Sequence, residues 1–268
     1  MKKNKKRTII FFLFLIIFIF IYLYKNTYLF LPIKISWNMH SIYGRFFACD
    51  SYSVDGDGVA FLSHPIADSS LMFEGYANAG DGSVLFDSYV GTIVARQDAD
   101  FISCKLNEKI GEVFVYGNPY FSMRSNRYGK YYSEIINDKN ILVDDLRKSY
   151  EMKELFLYIF VNTDSNQYVK NPEEEYDILC KSIDELLTVY NNNSQTINVD
   201  IYIYFVDEDI FVFSKEFLAT HVWLDYEYNR IVGTNSRIIL QMGNDTENFS
   251  EQLRLTKEEY INTRERMN

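Results

Sequence analysis

The sequence predicts an α+β protein in which a single N-terminal transmembrane helix is followed by a β-rich part and a β-α-β-β part with a mainly antiparallel sheet. Three observations lead there. A long uncharged apolar run stands close to a basic N-terminus, short apolar runs are closed by Asp-Gly and Asn-Pro turns, and one strongly amphipathic segment separates strand-like ones. The 268 residues are 47% hydrophobic and 24% charged, which excludes a disordered chain, a collagen-like repeat and a polytopic membrane protein. Only 12 Gly and 4 Pro argue against long linkers, and 3 Cys are too few for a disulfide-dense scaffold or a four-cysteine zinc module.

The first element is the membrane span. Residues 1–7 carry five positive charges, and residues 8–24, bounded by Thr8 and Tyr24, carry none of either sign. As a helix that run is about 25 Å long at 1.5 Å per residue, slightly short of the roughly 30 Å hydrocarbon core. Tyr22 and Tyr24 suit the interface, Lys25 can reach headgroups along its stem, and the apolar residues 28–33 can lie in the outer interface. No small-residue pair follows the run, as a cleaved signal peptide requires, and the first cysteine, Cys49, is too distant for a lipoprotein signal. The expectation is an uncleaved signal anchor with a cytoplasmic N-terminus, a single pass through the bilayer, and the bulk of the chain outside the cytoplasm, in a bacterial periplasm or at the cell surface.

That placement sets the charge of the exported part. Residues 1–35 hold seven of the 27 basic residues and no acid, leaving 20 positives against 37 negatives, a net −17. Such a surface disfavours nucleic acid and attracts basic partners or divalent cations.

Texture then divides the exported chain into residues 36–145 and 146–268. In the first part the runs Val59-Ala60-Phe61-Leu62, Val84-Leu85-Phe86, residues 89–95 and Val113-Phe114-Val115-Tyr116 read as strands. They are punctuated by turns such as Asp55-Gly56-Asp57-Gly58, Gly80-Asp81-Gly82-Ser83 and Gly117-Asn118-Pro119. In the second part, residues 155–161 are continuously apolar, suiting a strand covered on both faces. Asn171 as cap, Pro172 at the first turn and Glu173, Glu174 and Glu175 at the positive dipole end open a helix. Its apolar face is Tyr176, Leu179, Cys180, Ile183, Leu186, Leu187 and Tyr190. Val199, Ile201, Ile203 and Phe205 alternate with more polar residues as a strand does, and Asp207-Glu208-Asp209 reads as a hairpin tip before Ile210-Phe211-Val212-Phe213. Short strands are expected around residues 222–228 and 237–241, and Thr256-Lys257-Glu258-Glu259 matches a capping box opening a terminal helix.

Chemistry-bearing motifs are scarce. Cys49 and Cys104, 55 residues apart beside strand-like sequence, allow a disulfide outside the cytoplasm, and Cys180 reads as a buried free thiol. His40, His64 and His221 form no paired motif and read as structural or surface residues. Nucleophile-elbow, Walker and dinucleotide fingerprints are absent, and Asp55 and Asp57 lack the spacing of a calcium loop. No catalytic residue, cofactor or metal ligand is therefore assigned. Tyr116, Tyr120, Phe121, Arg124, Arg127, Tyr128, Tyr131 and Tyr132 combine amphipathic rings with guanidinium groups, the chemistry of a recognition surface. The function expected is a membrane-anchored, acidic, extracytoplasmic binding module that engages another protein, a basic one in particular. The alternative is an anchored envelope hydrolase acting on glycans or peptides through carboxylates.

Overall fold

The computed structural model describes residues 12–19, 22, 28–119, 154–164, 171–193, 197–220, 237–242 and 249–267, which fall into two compact units. The first holds helix α1 (Leu31–Tyr43) and strands β1 (Phe47–Asp55), β2 (Gly58–Pro65), β3 (Phe73–Asn78) and β4 (Val84–Asp87). The strands pair antiparallel in chain order. Both Gly-Asp-Gly segments are hairpin turns, as expected, with Gly56 and Gly82 at φ of 62° and 73°, a conformation that glycine holds without a Cβ clash. Rings cover the bare backbone of two further glycines: a Cβ on Gly75 would fall 2.1 Å from Phe61, and one on Gly58 1.7 Å from Tyr76.

Helix α1 packs Leu31, Ile35, Met39 and Tyr43, four residues apart and at most 1% exposed, into the core beside Phe47, Phe73 and Val59. Tyr43 Oη donates to both oxygens of the buried Asp87 carboxylate at 2.8 and 3.0 Å, so the acid that ends β4 is satisfied inside. Lys34, also buried, donates from Nζ to Gly80 O at 2.9 Å and ties α1 to the β3–β4 turn.

The second unit comprises α2 (Tyr89–Asn107), β5 (Val113–Pro119), β6 (Glu154–Asn162), α3 (Pro172–Asn192), β7 (Asn198–Val206), α4 (Glu208–Thr220), β8 (Arg237–Met242) and α5 (Phe249–Met267). Its sheet runs β5-β6-β7-β8, with β6 and β7 parallel and the outer pairs antiparallel. The continuous apolar run of β6 is buried on both faces. Leu155, Leu157, Ile159 and Val161 share one face with Val199, Ile201, Ile203 and Phe205 of β7. Helices α2, α3 and α5 cover that face: Gly117 lies so close to α2 that a Cβ would come 2.0 Å from Ala95 O, and Tyr260 of α5 meets both Phe205 and Tyr176 of α3. On the opposite face Tyr116, Tyr158, Phe160, Tyr204 and Val206 pack against Phe211 and Leu218 of α4.

Helix α3 forms as the sequence predicts. Asn171 Oδ1 accepts from Glu173 N and Glu174 N at 3.1 and 3.4 Å, and Tyr176, Leu179, Ile183, Leu186 and Tyr190 are buried. Strand β8 also lies where expected, while the strand anticipated at 222–228 lies outside the described residues.

Several expectations need correction. Residues 89–95 open helix α2 rather than a strand, because their apolar face continues through Ala99, Ile102 and Leu106 at helical spacing. The part read as β-rich thus contains two helices, α1 and α2. Residues 210–213 belong to helix α4: Asp207 Oδ1 accepts from Ile210 N at 2.9 Å and starts a helix instead of a hairpin. The capping-box sequence at Thr256 falls in mid-helix, since α5 begins at Phe249. Sheet pairing is mixed in this unit, because β6, α3 and β7 form a crossover. β5 and β6 lie on either side of the textural boundary near residue 145 yet pair directly, Val113 opposite Val161.

Residues 12–19 are helical, and every one is exposed, from 41% at Leu15 to 69% at Phe14. Among the described residues no helix is long and apolar enough to cross a membrane. Thr8 and Tyr24, the expected ends of the span, lie outside the described residues.

Two substitutions test the second unit. Gly117→Ala, which drives a methyl into the α2 backbone, is expected to destabilise by about 1–3 kcal/mol. Asn171→Ala, which removes the α3 cap, is expected to destabilise by about 1 kcal/mol. Urea-unfolding midpoints check both, and an unchanged Gly117→Ala midpoint would contradict the close approach.

Candidate functional site

The parallel pair dictates where the second unit can present a site. From the carboxyl end of β6 the chain crosses to α3 on one face of the sheet, and from the carboxyl end of β7 it turns to α4 on the other. Where connections diverge to opposite faces, the region beyond the strand ends is the usual ligand position in sheets of this kind.

The residues there are Asn162, Thr163, Asp164, Asp207, Glu208 and, from the turn before β5, Glu112. Asn162 is 1% exposed and organises the others. Its Nδ2 donates to Glu112 Oε2 at 2.9 Å and to Glu208 Oε2, its backbone N donates to Glu112 O at 3.0 Å, and its Oδ1 accepts from Asp164 N at 3.0 Å. Asp164 Oδ2 in turn accepts from Glu208 N at 3.0 Å. Thr163 closes the β6–β7 end by donating from N and Oγ1 to Val206 O at 2.8 and 3.0 Å. Glu208 and Asp209 sit in the first turn of α4, where the helix dipole favours negative charge. The product is a rim of exposed carboxylates, Glu112, Asp164, Asp207, Glu208 and Asp209, of which Glu112 and Glu208 accept from the one buried amide and Asp164 is tied to Glu208 N. It can accept hydrogen bonds from cationic side chains. Among the described residues no group of His, Cys, Asp and Glu is arranged to hold a metal ion.

A second polar cluster lies inside the same unit. Arg264 is 0% exposed, and its Nε donates to Glu175 Oε2 at 3.3 Å, while Tyr260 Oη donates to the same oxygen at 3.2 Å. Burial pushes the Glu175 carboxyl up, and Arg264 and Tyr260 pull it partly back. Glu175 Oε1 and both Arg264 Nη atoms have no hydrogen-bond partner among the described residues. The cluster locks α3 to α5 and has no opening to solvent at either charge.

Comparison with known proteins gives fold without activity. No family model matches the chain, and no curated protein does. Among solved structures it is similar to the crystal structure of a DUF5037 family protein from Ruminococcus gnavus ATCC 29149, with a TM-score of 0.56 and 17% identity, covering 85% of this chain and 98% of that one. The likeness is one of fold.

The residues singled out from the sequence distribute differently. Tyr116 is 1% exposed, with the Arg96 guanidinium 4.1 Å from its ring centroid, so it is a core residue and not part of a recognition face. Tyr120, Phe121, Arg124, Arg127, Tyr128, Tyr131 and Tyr132 lie outside the described residues. Cys49 and Cys104 are free, not bridged: Cys104 sits on an exposed turn of helix α2 rather than beside a strand, and Cys49 Sγ donates to Ser51 O at 3.7 Å. Cys180 is free as expected, its thiol pushed up by burial to about 11. His64 Nδ1 lies 2.7 Å from Asp50 Oδ2, at the bulge where the β1–β2 register shifts. Sequence reasoning missed Glu112, Asn162 and Asp164. The one available signal was a lone Asn closing an otherwise apolar run.

Two measurements probe these clusters. Asn162→Asp removes both amide donors and adds a carboxylate between Glu112 and Glu208, and is expected to destabilise by about 1–3 kcal/mol, less so as the pH is lowered. Because folding raises the Glu175 pKa above its ordinary 4.5, the folded chain binds more protons in that window, and the group's contribution to stability falls as pH rises through it. Wild type is therefore expected to lose stability relative to Glu175→Gln, whose amide mimics the protonated acid, as pH rises above about 4.5. Unfolding midpoints across pH check the sign.

Proposed function

We propose that the chain is a membrane-anchored, acidic binding module whose bulk lies outside the cytoplasm and engages a basic protein partner. The observation that carries the reading is the carboxylate rim at the ends of β6 and β7, preorganised by Asn162 rather than left as independent mobile charges. Fixed acceptors lose little side-chain freedom on meeting a cation, and the net −17 of the exported part steers basic partners toward them. The anchor is supported by the basic residues 1–7 and by the exposure of every apolar side chain from Phe12 to Ile19, which water would not tolerate on that scale. Basic residues before the run and few after it support a cytoplasmic N-terminus.

The hydrolase alternative draws on one observation, the convergence of Glu112 and Glu208 on a single amide nitrogen. Both acids are exposed, which suits capture of cations better than acid–base chemistry in a water-excluded site.

Binding of a Lys-rich peptide by the full chain in nanodiscs tests the proposal. Wild type is expected to retain the peptide at low salt and release it at high salt. The triple variant Glu112→Gln, Asp164→Asn, Glu208→Gln is expected to bind weakly, whereas Asp55→Asn, Asp57→Asn, Glu108→Gln, with the same net charge, binds as wild type. Equal weakening of both variants would reduce the effect to overall charge and sink the rim as a site. Turnover of envelope glycans or peptides, lost in the first variant, would favour the hydrolase.

A further inference from the structure

Helix α1 is apolar on two opposite faces. Leu31, Ile35, Met39 and Tyr43 fill the core of the first unit, and Ile33 and Trp37, offset by two residues, are 47% and 60% exposed on the other side, continuing from Leu29, 70% exposed in the 3-10 turn just before the helix. A second exposed apolar face on a helix already packed against a core points to a further apolar contact. The outer face is also built: Phe46, 60% exposed, stacks on His40 with centroids 4.2 Å apart, and Trp37 meets His40 edge-on at 6.0 Å. Pro32, Ile33, Ser36, Trp37 and Phe46 line an open groove of about 250 Å³. That is small and shallow for enclosing a ligand, and better suited to being laid against a surface.

We infer that this face of α1 lies in the outer headgroup region of the bilayer, so that the first unit sits on the membrane surface instead of hanging free on its anchor. The inference rests on the anchored reading above. Chain length commits it to the bilayer: from Tyr24 to Tyr28 the backbone spans at most about 14 Å, so the exposed stripe begins where the apolar run leaves the hydrocarbon. Residue chemistry agrees, since Trp and Tyr rings favour that depth. So does charge. The first acid of the whole chain is Asp50, and residues 25–49 hold Lys25 and Arg45 besides the buried Lys34, with no negative side chain, although the exported part is strongly acidic. The acids are kept off the one stretch that would approach anionic headgroups.

The test uses the full chain reconstituted in phosphatidylcholine nanodiscs, with and without lipids brominated near the top of the acyl chain. Subtracting the emission of Trp37→Phe from that of wild type isolates Trp37 from Trp223, and Trp37 is exposed enough to be replaced without loss of fold. The expected result is a blue-shifted Trp37 component that loses most of its intensity to bromolipid. Unquenched, water-like emission from a chain that resists alkaline carbonate extraction from vesicles would overturn the docking and leave the anchor standing. Release by carbonate would overturn both. A blue-shifted but unquenched component that depends on protein concentration would assign the face to a second copy, against the inference.

Discussion

Burial of β6 on both faces is the constraint from which the larger unit follows. Seven consecutive apolar residues, 155–161, give the strand no face that water can solvate, so helices must cover the sheet on both sides. One cover comes from the crossover α3 with α2 and α5, the other from α4 packed on the aromatic face. Once the two connections part company, the carboxyl ends of β6 and β7 are left between them. Asn162 is the first polar residue after the run, and it is buried because the strand carries it inside. Its amide has then to be satisfied, and Glu112 and Glu208 do so. The acidic rim is in this sense a by-product of a hydrophobic strand ending in an amide.

Tyrosine has a repeated task in both units. Tyr43 donates to Asp87, Tyr190 to Asp98 and Tyr260 to Glu175, and each of these carboxylates is at most 3% exposed. A buried acid without a donor would carry a large desolvation penalty. A phenol brings the donor on a ring that also fills core volume. Part of the 22 Tyr is thereby explained as structural and not as recognition chemistry.

The sequence made legible what depends on local periodicity and local caps. The α3 segment combines a cap, a proline, an acidic first turn and a seven-member apolar face, and nothing in the tertiary structure overrides it. The two Gly-Asp-Gly turns and strand β6 were readable for similar reasons. Helix α2 was not, because its first residues, Tyr89, Val90, Thr92, Ile93 and Val94, are β-branched or aromatic and resemble a strand until the period continues past Ala95. Helix α4 was lost because three acids in a row look like a solvated tip, and only the Asp207 contact to Ile210 N shows them as a helix start. The rim was illegible in principle. Glu112, Asp164 and Glu208 are far apart in the chain and are brought together by strand pairing alone.

The state of the cysteines has a consequence for where thiol chemistry can reach the folded chain. A thiol exchanges as its thiolate, and burial holds Cys49 up at about 12 and Cys180 at about 11. The folded protein carries two half-buried thiols that burial makes poor nucleophiles and a third, Cys104, that is exposed on α2. Oxidation, mixed-disulfide formation and chemical labelling of the native chain are thus directed first to Cys104, with burial and not pairing holding back the other two sulfurs.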